Sequence, residues 1–123
     1  DGVNILLTLS PIDNIPLFLF DFARKNDKHI RWYIRFHHHT PSKLINSFKE
    51  KFKEIKNIEY ESANELPLPM LLKLADLHIT IFSSCVADAK EFNKKSIVIS
   101  EAGIDFFKDF IASDWVYPAL NEK

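Results

Sequence analysis

The chain has 123 residues, 46% of them apolar and 27% charged, with a formal net charge of −1. That length suits one domain with a single real core, and the composition is that of an ordinary globular protein. The near-neutral balance gives no global pull toward nucleic acid or an anionic membrane.

Eleven Phe against two Gly imply an aromatic core with few flexible turns. The lone cysteine, Cys85, allows no internal disulfide and fits a reducing compartment. No stretch reaches the roughly 18 apolar residues of a membrane span, since Pro16 and Asp21 interrupt the apolar run from Ile15 to Phe22. No signal peptide is visible. The expectation is a cytoplasmic protein, or one peripheral at the inner face of the membrane. The chain opens with Asp1-Gly2 rather than Met and is expected to be a piece of a longer protein.

Val3 to Leu9 reads as a buried strand that ends at Ser10-Pro11. Asp13 or Asn14 can cap a helix with Pro16 in its first turn, running through Phe18, Phe22 and Ala23. Ile30 to Phe36 is a second strand, with Arg31 and Arg35 on the parity of Tyr33. After His37-His38-His39, Thr40 as cap and Pro41 in the first position start a helix. Its apolar stripe is Leu44, Ile45, Phe48, Phe52 and Ile55; Lys43, Lys49, Lys51 and Lys53 form a solvated opposite face. Asn57 to Glu61 reads as a third strand, and Pro67 opens a short helix through Leu71, Leu72 and Leu74. The fourth strand begins at Leu77, and a helix follows from Ser83-Ser84 to Phe92. Lys95 to Ser100 is a fifth strand, Ile104 to Ile111 a last helix, and Trp115 to Pro118 an irregular end.

This alternation argues for right-handed βαβ units. The fold class is α/β: a Rossmann-like three-layer α/β/α domain over residues 1–123, with a five-stranded parallel sheet in the order 3-2-1-4-5. Ligands of such sheets bind beyond the carboxyl ends of the strands, where the winding reverses. Those ends carry Ser10, Arg35, His37, Ser83, Ser84, Ser100 and Glu101. A strand that turns at small polar residues into a helix presents free N–H groups, a seat for phosphate. Asp88 lies one turn beyond Ser84 and can face the same pocket. Helix capping by a serine and a solvated Asp88 account equally for these residues one at a time; their convergence on one edge favours a site.

Arg35-x-His37 would place a cation and an imidazole donor near phosphate oxygens as charge develops on a leaving group. Three adjacent histidines cannot all point one way, and no pair of Cys or His has zinc-finger spacing, so no metal site is expected. His78 alternates within a strand and reads as buried or edge-exposed rather than as a ligand, and His29 as a surface residue. Cys85 reads as a small packing residue. No GxGxxG, GxxxxGK[ST] or glycine-flanked serine elbow occurs, nor the Asp pair of a receiver domain.

Arg35-x-His37, Ala75-Asp76-Leu77-His78-Ile79-Thr80 and Ser83-Ser84 with Asp88-Ala89 together resemble the C-terminal, donor-binding half of GT-B glycosyltransferases. The similarity is greatest to the capsular polysaccharide, lipopolysaccharide and sialyl-type enzymes and to the related sugar-nucleotide 2-epimerases. The resemblance spans nearly the whole chain. It implies that His37 approaches the nucleotide phosphate, although His38 stands where that family usually has Pro. It implies that Ser83 and Ser84 offer hydroxyls and N–H groups to the phosphates. Asp88 takes the place of a ribose-binding acid that is usually Glu. Ser10 and Arg35 complete the substrate-binding set.

The ligand implied is a UDP-, CMP- or GDP-linked sugar, with no cofactor and no metal; the helix end, the serines, Arg35 and His37 stand in for one. An N-terminal acceptor domain, absent from this chain, would supply the catalytic base. Half of an epimerase or of a glycerophosphotransferase-like enzyme is the alternative within the same cleft. A non-catalytic α/β binding module is the alternative outside it.

Overall fold

β-Branched and apolar runs make the central strands of this domain, and each is long enough only to cross one sheet. The structure, a computed structural model, describes residues 3–9, 19, 22–24, 29–36, 40–53, 55, 58–80, 85–99 and 101–119, with backbone alone at 62, 101 and 102. In chain order the elements are β1 (Val3–Leu9), β2 (Ile30–Phe36), α1 (Ser42–Lys51), β3 (Ile58–Glu59), α2 (Glu61–Glu65), α3 (Leu68–Leu74), β4 (Leu77–Thr80), α4 (Cys85–Glu91), β5 (Ser96–Val98), α5 (Glu101–Phe106), α6 (Lys108–Ala112) and β6 (Val116–Pro118). Residues 19 and 22–24 are helical too, which agrees with a helix between the first two strands; the rest of that segment lies outside the described residues.

The sheet is parallel, in the order β3-β2-β1-β4-β5-β6. β1 is the hinge of the topology. It pairs with β2 from Val3↔Ile30 to Leu9↔Phe36 and with β4 from Ile5↔Leu77 to Thr8↔Thr80. The chain therefore winds outward to β3 on one side, returns, and winds outward again through β4, β5 and β6. The strand order expected for the first five holds, and the fold is Rossmann-like.

Alternation along β1 splits the core in two. Ile5, Leu7 and Leu9 face Trp32, Ile34, Phe48 and Phe52, so α1 covers this side. Leu6 faces Tyr33, Ala63, Leu71, Leu72 and Ala89, so α2, α3 and α4 cover the other. A third cluster, Val86, Val98, Phe107 and Val116, joins α4 to the last helices and β6. Helices on both faces give the three layers. Among the described residues no helix is long and apolar enough to cross a membrane.

The sheet has a sixth strand that the sequence reading missed. Trp115 to Pro118 is not irregular: β6 pairs with β5 from Ser96↔Val116 to Val98↔Pro118. Ser96 N–H donates to Trp115 O at 3.1 Å, and Ala119 N–H donates to Val98 O at 3.0 Å, bracketing the pairing. Pro118 is tolerable because β6 is an edge strand, where a missing donor leaves no ladder bond unmade. Burial of Val116 against Val98 and Phe107 drives the pairing, and no periodicity over so short a run reports it.

Four other boundaries move. Pro41, at φ −60° and ψ 145°, holds the cap position of α1 without a side-chain bond, so Thr40 does not cap. Leu44 is 46% exposed and leaves the apolar stripe of α1, while Phe48, Phe52 and Ile55 stay buried. Only Ile58 and Glu59 of the expected third strand pair, and Glu61–Glu65 is helical instead. The last helix breaks at Phe107, whose buried ring anchors the bend between α5 and α6.

Candidate functional site

The carboxyl ends of β1 and β2 form the floor of a cleft of about 830 Å³. Thr8 and Leu9 enter it from β1, Arg35 and Phe36 from β2. Thr40, Ile45 and Lys49 close one side, at and along α1. Tyr60, Glu61, Asn64 and Glu65 make the α2 wall, continued by Leu68, and Cys85 marks the start of α4. This is the edge of the sheet at which the winding reverses, the place where open α/β sheets bind ligands. Its volume falls in the range of about 300–1,000 Å³ usual for small-molecule sites.

The α2 wall is held to β2 by two side chains, one of which replaces missing ladder bonds. β3 pairs with β2 only at Trp32 and Tyr33, which leaves the later backbone groups of β2 without a neighbour strand. Asn64 supplies one: its Nδ2 donates to Ile34 O at 3.0 Å, and Phe36 N–H donates to its Oδ1 at 2.9 Å. Nδ2 also donates to Tyr60 O at 2.7 Å, tying α2 to its own start. Arg35 does the rest. Its Nη1 donates to Ala63 O at 3.0 Å and to Leu66 O at 2.7 Å, a cation placed at the carbonyl end of α2. The sequence offered no signal for Asn64, because a five-residue helix is too short to show a period.

Aromatic rings line the α1 side. Phe36 stacks with Tyr60 at 6.1 Å between centroids and meets Phe48 edge-on at 5.4 Å. The Lys49 ammonium lies 5.0 Å from the centre of the Tyr60 ring, so one member of the lysine face reaches the cleft. Burial pushes the Tyr60 phenol up to about 12, so it remains a neutral ring. The hydroxyls of Tyr60 and Thr40 are buried and have no partner among the described residues.

Beneath the cleft floor runs a polar chain through the central strands. Thr8 Oγ1 and His78 Nε2 are 2.7 Å apart, and His78 Nδ1 and Ser96 Oγ are also 2.7 Å apart. Thr80 Oγ1 donates to Thr8 O at 2.9 Å. His78 is fully buried in β4, as one of the two readings had it. Burial lowers its pKa to about 4, so the ring is neutral, with a hydroxyl to pair with each nitrogen.

Of the residues expected to bind substrate, Arg35 lines the cleft with Nη1 bonded to the two carbonyls. Asp88 lies in the first turn of α4, exposed, and is not among the described residues of the cleft wall. Ser10, His37, Ser83 and Ser84 lie outside the described residues, as do His38 and His39. Cys85 is half-buried and lines the cleft rather than serving packing alone. Among the described residues, no group of three His, Cys, Asp or Glu side chains could hold a metal ion.

No protein-family model matches the chain. No curated protein matches it either. Among solved structures, 98% of the chain superposes on a structure of S. aureus MnaA bound to UDP, with a TM-score of 0.68 at 16% sequence identity. The chain spans about a third of the length of that protein (33%), and the likeness is one of fold.

Proposed function

We propose that the cleft binds the nucleotide of an activated sugar, and that the chain is the donor-binding half of a GT-B glycosyltransferase of cell-surface polysaccharide synthesis. One observation carries the reading: a ligand-sized cleft opens where β1, β2 and α4 meet, in a sheet of the same fold as a UDP complex. In this reading Ser83, Ser84 and the N–H groups beside them take the phosphates, with Ser10 and His37 opposite and Asp88 on the ribose. Arg35 adds positive charge from the wall it holds. Helix and side-chain donors facing a departing nucleoside phosphate stabilise the charge that grows on it. The sugar acceptor and the base that activates it belong to a second domain. This chain alone binds nucleotide weakly and transfers nothing.

The likeness to a UDP complex fits a second reading equally, half of a sugar-nucleotide 2-epimerase, because both uses need the same nucleotide seat. Products formed from a labelled nucleotide-sugar by the complete two-domain protein, a transferred sugar or an epimer, separate the two.

The nucleotide seat is tested by titrating UDP, CMP and GDP into the ¹⁵N-labelled chain. Amide shifts at His37, Ser84 and Arg35 are expected at millimolar ligand, and a bulky residue at Ser84 abolishes them. A folded chain with no shift at any of the three overturns the assignment.

A further inference from the structure

The polar groups of the α2 wall divide sharply between those engaged in the fold and those left over. Asn64 has both amide hydrogens and its oxygen bonded to backbone, so it has no donor left for a ligand. Nη1 of Arg35 is bonded to two carbonyls. Tyr60 contributes a ring stacked on Phe36 and a buried hydroxyl. Glu61 and Glu65 are the charged groups that remain. They sit one turn apart on α2, both line the cleft, and both are exposed. Among the described residues neither carboxylate has a hydrogen bond or an ion pair.

A carboxylate only accepts hydrogen bonds, and it repels phosphate. The phosphates of a bound nucleotide are therefore driven from this wall toward the α4 end. The wall is left facing an uncharged part of the ligand that carries N–H or O–H donors. Leu68 and the Tyr60 ring beside the carboxylates supply the apolar surface that a planar base or a sugar ring needs.

We propose that Glu61 and Glu65 are specificity-determining residues that read a donor edge of the ligand. Resting on the nucleotide reading above, this means a base with an exocyclic amine, cytosine or guanine, in preference to uracil. Uracil has one N–H on that edge, flanked by two carbonyl oxygens, so a carboxylate drawn to it is set against acceptors on both sides, whereas an exocyclic amine lies at the end of its edge and can be approached without that conflict. Sugar hydroxyls are the other donors such a wall can meet.

The test is calorimetric binding of UDP, CDP, GDP and UDP-glucose to the chain and to its Glu61→Gln and Glu65→Gln variants, with folding checked by circular dichroism. The expected result is CDP or GDP binding about tenfold tighter than UDP. Glutamine offers an amide donor, so that preference falls in the variants. Equal affinity for all three free nucleotides, with UDP-glucose alone weakened by the variants, assigns the donor edge to sugar hydroxyls and also supports the proposal. Two results overturn it: UDP binding tightest with the variants tightening every nucleotide alike, which is charge relief alone, or variants without effect. If no nucleotide binds the folded chain at millimolar concentration, the nucleotide reading itself fails, and this proposal with it.

Discussion

Acidification tests the buried histidine most directly. His78 is fully enclosed, with Thr8 Oγ1 and Ser96 Oγ each 2.7 Å from a ring nitrogen. In the unfolded chain its imidazole takes a proton near the ordinary value of 6.5, whereas in the fold burial defers this to about 4. Between those values the unfolded state binds more protons, so stability is full above 6.5 and is lost as pH falls toward 4. That displacement corresponds to about 3 kcal/mol in all, most of which disappears between pH 7.5 and 4.5. Against a total stability of about 5–15 kcal/mol, that is a large loss. The comparison with a variant that lacks the imidazole isolates His78 from the rest of the pH dependence. The assay is urea unfolding at several pH values for the wild type and His78→Leu. The variant is less stable at neutral pH, because the Thr8 and Ser96 hydroxyls lose their partner. The gap between the two proteins narrows by about 2–3 kcal/mol on going to pH 4.5. A gap constant across pH, or a folded-state His78 ring that titrates near 6.5 by NMR, refutes the argument.

Further outcomes follow from the α2 wall and the far edge of the sheet. Asn64→Ala leaves Ile34 O and Phe36 N–H without their partner, so stability falls by about 1–3 kcal/mol and hydrogen exchange at Phe36 quickens. Unchanged protection there would show that the side chain is not the substitute strand described here. Arg35→Met removes the one nitrogen that bonds both Ala63 O and Leu66 O, and chemical denaturation should record a loss of about 1–3 kcal/mol. At β6, the Lys95 ammonium bonds Tyr117 Oη and Asp114 Oδ2, each at 3.0 Å, and lies over the Trp115 and Tyr117 rings. The bond to Tyr117 first, then that to Asp114, raises the Lys95 pKa, and the Asp114 carboxyl is lowered by the Tyr117 hydroxyl first and then by Lys95. Lys95→Met should therefore speed exchange at Ser96 and Ala119, the amides that bracket β6, while exchange in β1 stays unchanged.

Much of this architecture is legible in the residues. Val3–Leu9 announces itself because a strand between layers of helix is largely apolar on both faces, and Ile30–Phe36 still reads as one despite Arg31 and Arg35. Alternation and handedness give a doubly wound parallel sheet, of which 3-2-1-4-5 is one common order. What stayed hidden is short. Glu61–Glu65 and Val116–Pro118 hold five and three residues, fewer than either period needs to declare itself. The cleft was legible only at the level of its edge. Arg35 was marked by its place at the end of a strand, but its bonds to Ala63 O and Leu66 O come from a segment 28 and 31 residues away.

By itself, then, the order of apolar runs determines a parallel, doubly wound sheet, and with it the carboxyl edge at which such sheets bind ligands; that β1 lies beside β4 is seen in the assembled sheet. That information is local: burial on two faces demands an uninterrupted apolar strand, and chirality permits one sense of crossover. Only the tertiary structure decided which polar groups hold the walls and which are left for a ligand. Asn64 and Glu65 are neighbours in the chain and equally polar, yet one completes the bonding of β2 and the other faces open space. The difference is made by where β3 stops pairing, and that is a property of the assembled sheet.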